Sequence, residues 1–223
     1  MIGARDSYLI IDTASHELSV VLKAGGKLSY ATETNLRNTS KVLLPSVDML
    51  LSDAGIGLRD LGYLAVTTGP GSFTGLRVGY TTVKAWAYVN KTLCIGINSL
   101  QANAYISKGK TISIIDGSNG VAYIGVYDID KSEILKPACV HTADLGEIIS
   151  RLPKAKYDII VDNKIFGCVS TFRLEYPVIV CDSKIALPRA TEDYISKNKY
   201  GSHESLILEY IRKSQPERGE GDI

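Results

Sequence analysis

Apolar residues in this chain recur first in short β-branched runs and then in longer stretches of helical period. Residues 8–14 form one such run, interrupted at Asp12, and predict a buried strand. Residues 17–24 predict a second strand. Gly25-Gly26 is a two-residue hairpin signal leading to a third strand over 27–34. The period then lengthens: Leu43, Val47, Leu50, Leu51 and Ala54 share one helical face, and Gly55 is the stop signal. Pro45 must lie near the first turn of that helix or kink it, because proline lacks the amide a helix interior needs. A strand over 63–68, a helix reaching about Asn90, a strand over 92–98 and a helix capped by Ser99 complete the series. The order β-β-β-α-β-α-β-α is an antiparallel meander continuing into βαβ crossovers.

The pattern then begins again. Ile114-Ile115-Asp116-Gly117-Ser118 repeats Ile10-Ile11-Asp12-Thr13-Ala14 at an offset of 104 residues. At the same offset Tyr123-Ile124-Gly125-Val126 answers Ser19-Val20-Val21-Leu22, and Asn119-Gly120 makes the turn that Ser15-His16 makes in the first copy. Matching strand, acidic end and return strand favour duplication. The second copy continues through a strand over 133–142, a short helix over 144–152, strands at 157–161 and 178–181, and helical segments towards Arg212. Two meander-plus-helix lobes, each opening on a strand that ends in Asp, resemble the actin-like, sugar-kinase and Hsp70 ATPase architecture. The expected fold class is therefore α/β, a duplicated two-lobe actin-like (ribonuclease H-like) fold. The expected lobes are residues 1–105 and 106–213, with a disordered polar tail at 214–223.

Composition narrows the function. The 25 basic and 24 acidic side chains nearly cancel, and no Lys/Arg stripe stands out, so tight nucleic-acid binding by this chain alone is not expected. Cys94, Cys139, Cys168 and Cys181 are far apart, form no CxxC pair and read as reduced thiols. The first seven residues lack the pattern of a signal peptide, and no run approaches the roughly 20 apolar residues that cross a bilayer. The cytoplasm is the expected address.

The richest stretch chemically is Gly69-Pro70-Gly71-Ser72-Phe73-Thr74-Gly75-Leu76-Arg77-Val78-Gly79, where a strand ends in a glycine turn that feeds a helix. It is not a Walker loop, because Leu76-Arg77 follows Gly75 where that motif needs Lys-Ser/Thr. Asp12 and Thr13, with Asp116 in the second copy, are candidates to hold a Mg²⁺-nucleotide. The turn after Asp12 lacks the glycines that would let its backbone close on phosphates, and a capping role for Asp12 is favoured. His16, His141 and His203 are each isolated, so no metal site is expected. Ser72 resembles a nucleophile elbow only loosely and is more simply an N-cap. Gly75, Gly79 and Thr82 or Val83 fall on one helical stripe, with Tyr80, Trp86 and Tyr88 on or near the same helix. Each helical glycine costs about 1 kcal/mol relative to alanine, so the bare stripe implies a close approach. Two readings stand: docking of another protein, or packing against the lobe's own sheet. Docking predicts that Gly79→Leu leaves the monomer folded and abolishes pairing.

The GPGSFTGLRVG block, with Leu43-Leu44-Pro45 before it and a helix ending Asp53-Ala54-Gly55, strongly resembles the bacterial TsaB family over residues 8–105 and more loosely beyond. The resemblance implies a non-catalytic subunit in the formation of threonylcarbamoyladenosine at position 37 of tRNAs reading codons that begin with A. It implies pairing with a catalytic TsaD-type subunit that carries the metal, a third, ATP-binding TsaE-type subunit, and a homodimer when the chain is alone. No cofactor of its own is implied; ATP or ADP would bind at the complex interface, and tRNA only through the complex. The implied interface comprises Leu43, Leu44, Val47, Ser72, Phe73, Thr74, Gly75, Arg77, Gly79, Tyr80, Thr82, Val83 and Trp86. Two departures stand out. Thr39-Ser40 replaces a His-Ser pair, and Asp116-Gly117-Ser118 with Val121-Ala122-Tyr123 replaces Asp-Ala-Arg with Glu-Val-Tyr. The alternative is an independent actin-like ATPase or phosphotransferase using Asp12, Thr13 and Asp116.

Overall fold

The computed structural model describes residues 7–15, 17–34, 39–172 and 175–212. His16 and the tail at 214–223 lie outside the described residues. The chain divides into two compact units, one of residues 1–98 and 187–209, the other of residues 99–186 and 210–223. The division thus falls seven residues earlier than the expected 105/106, and residues 187–209, expected in the second lobe, belong to the first.

In the first unit β1 (Tyr8–Asp12) is the centre of a five-stranded sheet. It pairs antiparallel with β2 (Leu18–Ala24), which pairs with β3 (Lys27–Glu33). On its other side it runs parallel to β4 (Tyr63–Gly69), and β4 to β5 (Leu93–Asn98). Every residue of β1 and β4 is buried, which is why both read as unbroken apolar runs rather than alternating ones. Two helices follow the third and fourth strands: α1 (Thr39–Ala54) and α2 (Phe73–Asn90). Their inward residues, among them Leu43, Val47, Leu50 and Val83, join Leu9, Ile11, Val20 and Val66 in one apolar cluster. Because α1 begins at Thr39, Pro45 lies in its second turn rather than at its start.

The second unit opens with α3 (Ser99–Ala104). Ser99 is the first residue of that helix and not its cap, and its buried hydroxyl has no hydrogen-bond partner. The sheet follows: β6 (Lys110–Asp116), β7 (Val121–Tyr127), β8 (Glu133–His141), β9 (Tyr157–Val161) and β10 (Val178–Val180). Its order, β8-β7-β6-β9-β10, matches β3-β2-β1-β4-β5 of the first sheet strand for strand. Between the strands lie α4 (Leu145–Ser150) and α5 (Phe166–Val169). Asp12 and Asp116 each close the central strand of their sheet, as duplication requires. The constant offset of 104 fails at the return strand: Asp12 is opposite Ser19, but Asp116 is opposite Ala122. The second turn is one residue shorter, and Ser118, Asn119 and Gly120 all take positive φ to close it. The last helix, α6 (Ser183–Ser196), ends well short of Arg212; beyond it the described residues hold only a short 3-10 turn over His203–Ser205. The two sheets of identical order define a duplicated actin-like fold.

Candidate functional site: the two faces of helix α2

The start of α2 is built against the end of β1. Ser72 caps the helix, its Oγ accepting from the Gly75 amide at 3.2 Å. The Ser72 amide donates to the Ala14 carbonyl at 2.7 Å, joining the loop to the turn after β1. The Thr13 hydroxyl donates to the Gly75 carbonyl at 2.7 Å and accepts from the Gly79 amide at 3.2 Å. Those two groups are helical i, i+4 partners, so the hydroxyl lies against one turn of helix backbone. This contact explains both glycines. A Cβ at Gly75 would collide with the Thr13 carbonyl oxygen, and one at Gly79 would lie 2.5 Å from Thr13 Oγ1, 3.3 Å from Ile11 and 3.4 Å from Val66. The bare stripe thus packs on the unit's own β1 and β4, and of the two readings of the glycines internal packing is the one observed. Leu43, Val47 and Val83 are likewise buried in the unit's own core. For these five residues the expected docking role does not hold. Gly79→Leu is correspondingly expected to disrupt the fold rather than spare it.

Asp12 is almost fully buried. Its Oδ1 accepts from the Ala14 amide at 2.9 Å and from the Thr67 hydroxyl at 2.8 Å. Burial pushes its carboxyl above the ordinary carboxylate range, while the Thr67 hydroxyl and the Ala14 amide work against that shift. Thr13 is engaged by α2 as described. Asp116, half-buried, accepts from the Ser118 amide at 3.2 Å, and its own amide donates to Asp162 at 2.7 Å. Asp12 and Asp116 each tie a turn at the end of a central strand. Among the described residues no three His, Cys, Asp or Glu side chains come together as metal ligands.

The opposite face of α2 is exposed. Ser72, Thr74 and Arg77 are exposed, Phe73, Tyr80, Thr82 and Trp86 half-buried, and Leu44 on α1 is 48% exposed. Positions missed by sequence reasoning extend this surface: Thr81, Ala85 and Val89 (69% exposed) on α2, and Met49 on α1. Val78, Thr81, Thr82, Ala85 and Val89 follow helical spacing and carry no charge. The Thr81 hydroxyl donates to the Arg77 carbonyl at 2.7 Å, and that of Thr82 to the Val78 carbonyl at 2.8 Å. With their hydroxyls held by the helix, both threonines add methyl surface to the stripe. Beside it runs a second missed feature. Arg77 stacks on Phe73 at 3.9 Å, Lys84 on Tyr80 at 5.0 Å and Lys91 on Tyr88 at 4.5 Å. Three cations thus recur along this segment, Arg77 and Lys84 on α2 and Lys91 at its C-cap. The signal was present in sequence, as a cation every seventh residue with an aromatic three or four before it.

A family model described as TsaD, tRNA N6-adenosine threonylcarbamoyltransferase, matches residues 32–182. The chain is 33% identical over 147 residues to the Escherichia coli tRNA threonylcarbamoyladenosine biosynthesis protein TsaB, a match covering 60% of this chain and 64% of that one. It is 32% identical over 123 residues to the Bacillus subtilis protein of the same name, covering 53% and 54%. These matches span between about half and two thirds of the relatives' own length. Among solved structures, YeaZ from Pseudomonas aeruginosa shares the fold at a TM-score of 0.77 and 21% identity, covering 92% of this chain and 99% of that one. Fold and sequence together define a protein of the duplicated actin-like class whose relatives are tRNA-modification proteins. The chain belongs to the family that the TsaD model describes, and within it is similar to the proteins named TsaB.

Proposed function

We propose that this chain is the non-catalytic subunit of a cytoplasmic assembly that forms threonylcarbamoyladenosine at position 37 of tRNAs reading codons that begin with A. It acts by docking a TsaD-type catalytic subunit, with a TsaE-type ATP-binding subunit joining the pair. The docking surface is the outward face of α2, extended by Leu44 and Met49 of α1. One observation carries this reading. α2 turns its glycines inward and still keeps Thr81, Ala85 and Val89 in solvent, flanked by half-buried Val78 and Thr82, and this stripe carries no charge. Such a stripe gains free energy when another helix covers it, at roughly 25 cal/mol per Å² of apolar surface. The names of the relatives supply the pathway.

The experiment is to mix the chain with the TsaD-type subunit of the same organism and measure affinity and co-elution. The double variant Ala85→Gln, Val89→Gln makes the stripe polar with good helix formers. Co-elution of wild type and its loss in the folded double variant are expected; equal pairing by both would overturn the proposal. The alternative, an independent ATPase using Asp12, Thr13 and Asp116, has to contend with Asp12 and Thr13 already hydrogen-bonded within the chain. Titration with Mg-ATP separates the two, since low-micromolar binding with turnover by the isolated chain would favour the enzyme.

A further inference from the structure

Arg77, Lys84 and Lys91 recur at intervals of seven residues. Seven residues are close to two helical turns, so Arg77 and Lys84 lie on one side of α2 over a rise of about 10 Å, and Lys91 follows as the left-handed C-cap residue just past the helix end. Each is held against an aromatic ring, Phe73, Tyr80 and Tyr88 in turn, which lays the long side chains along the helix flank. Lys84 also donates to the Tyr80 hydroxyl at 2.8 Å, and that hydroxyl donates to the Leu206 carbonyl at 2.8 Å. α2 contains no Asp or Glu. The segment packed beside this flank adds His203, whose ring meets Tyr88 at 5.0 Å, and one exposed carboxylate, Glu204. The flank borders the uncharged stripe: Arg77 is one turn from Thr81, and Lys84 is adjacent to Ala85.

We propose that this cationic flank makes the docking face selective by charge, fitting an acidic helix surface on the TsaD-type partner and disfavouring a second copy of this chain. The proposal rests on the docking reading above. When two copies pair about a two-fold axis, a patch meets its own image, so like charges approach one another. A partner with carboxylates opposite the flank meets attraction instead. The two associations therefore respond to salt in opposite directions. Screening shortens from about 30 Å at 0.01 M to about 8 Å at 0.15 M ionic strength. Added salt weakens pairing with the partner and strengthens self-association.

The test measures the dissociation constant for the TsaD-type subunit, and self-association by sedimentation, at low, physiological and high salt. Wild type is compared with the triple variant Arg77→Gln, Lys84→Gln, Lys91→Gln. Glutamine is a good helix former and keeps a donor beside Tyr80, and circular dichroism checks the fold. For wild type, partner affinity is expected to fall on the order of tenfold from low to high salt while self-association tightens. The triple variant is expected to bind the partner about tenfold more weakly at low salt, to lose most of the salt dependence, and to self-associate more tightly. Salt-independent partner binding that is still abolished by Ala85→Gln, Val89→Gln overturns the charge proposal and leaves docking intact. Absence of pairing at every salt concentration overturns the docking reading itself. Capture of tRNA by the free chain, with a salt slope that the triple variant loses, would assign the flank to phosphate and overturn the proposal as well.

Discussion

The two copies of the fold share a sheet and part company in their helices. In the first, the helices after the third and fourth strands have 16 and 18 residues; in the second, their counterparts α4 and α5 have 6 and 4. Yet the central strands of the second sheet are buried as well. Leu145, Ile149, Ile165 and Val169 close over Ile112, Ile124 and Ile159 with help from Leu152, Phe172 and Tyr176. Short helices thus suffice to bury one face of a sheet of this order. The longer α1 and α2 bury side chains from Leu43 to Leu51 and from Leu76 to Ala87, and their length also adds outer surface. The same contrast holds at the central strand. Thr13 locks α2 through Gly75 and Gly79, whereas its counterpart at the offset of 104 is Gly117, which has no hydroxyl to offer.

The contrast can be broken first at the lock. Gly79→Leu forces its side chain against Thr13, Ile11 and Val66, and should cost more than about 4 kcal/mol or prevent folding, as read by chemical denaturation. A folded Gly79→Leu monomer within about 1 kcal/mol of wild type would show that α2 is not held as described. Thr13→Val keeps the shape and removes both hydroxyl contacts, with an expected loss of about 1–3 kcal/mol by the same measurement.

A smaller effect is the pH dependence that Asp12 brings. Because burial raises the carboxyl of Asp12, the folded state keeps a proton that the unfolded chain has already lost. Stability therefore falls as pH rises from the ordinary carboxylate range through the raised folded value, and then levels. Asp12→Asn should remove that slope; urea titrations across acidic to neutral pH decide. The smallest change belongs to the second copy's short helix. Nothing lies within 4 Å of a Cβ at Gly167, so Gly167→Ala should shift stability by no more than about 0.5 kcal/mol plus the gain in helix propensity.

Much of this was legible in the chain. β9 spans the expected 157–161, the Gly25-Gly26 hairpin joins β2 to β3, and Ser72 caps α2 as its position at a strand-to-helix turn predicts. These features depend on local pattern and local hydrogen bonding. The direction of the glycine stripe was not legible. Spacing shows that Gly75 and Gly79 share a side of the helix, but only the path of β1 shows that Thr13 fills it. The return of residues 187–209 to the first unit depends on long-range contacts such as Asn98 to Glu209 at 2.6 Å and Lys23 to Glu192 at 2.6 Å, which no periodicity encodes. The register of β7 was misjudged because apolar strands look alike when slid by one residue. The repeat of Arg77, Lys84 and Lys91 was in plain view, but a near-zero net charge conceals a local stripe.

The central claim is that the outward face of α2 exists to be covered by another protein. Its most direct test is the affinity of the TsaD-type subunit for wild type and for Ala85→Gln, Val89→Gln, with the stability of both measured alongside. The account predicts a loss of affinity of about a hundredfold, near 2.7 kcal/mol, with stability unchanged within about 0.5 kcal/mol. Undiminished affinity in the stable double variant would contradict it.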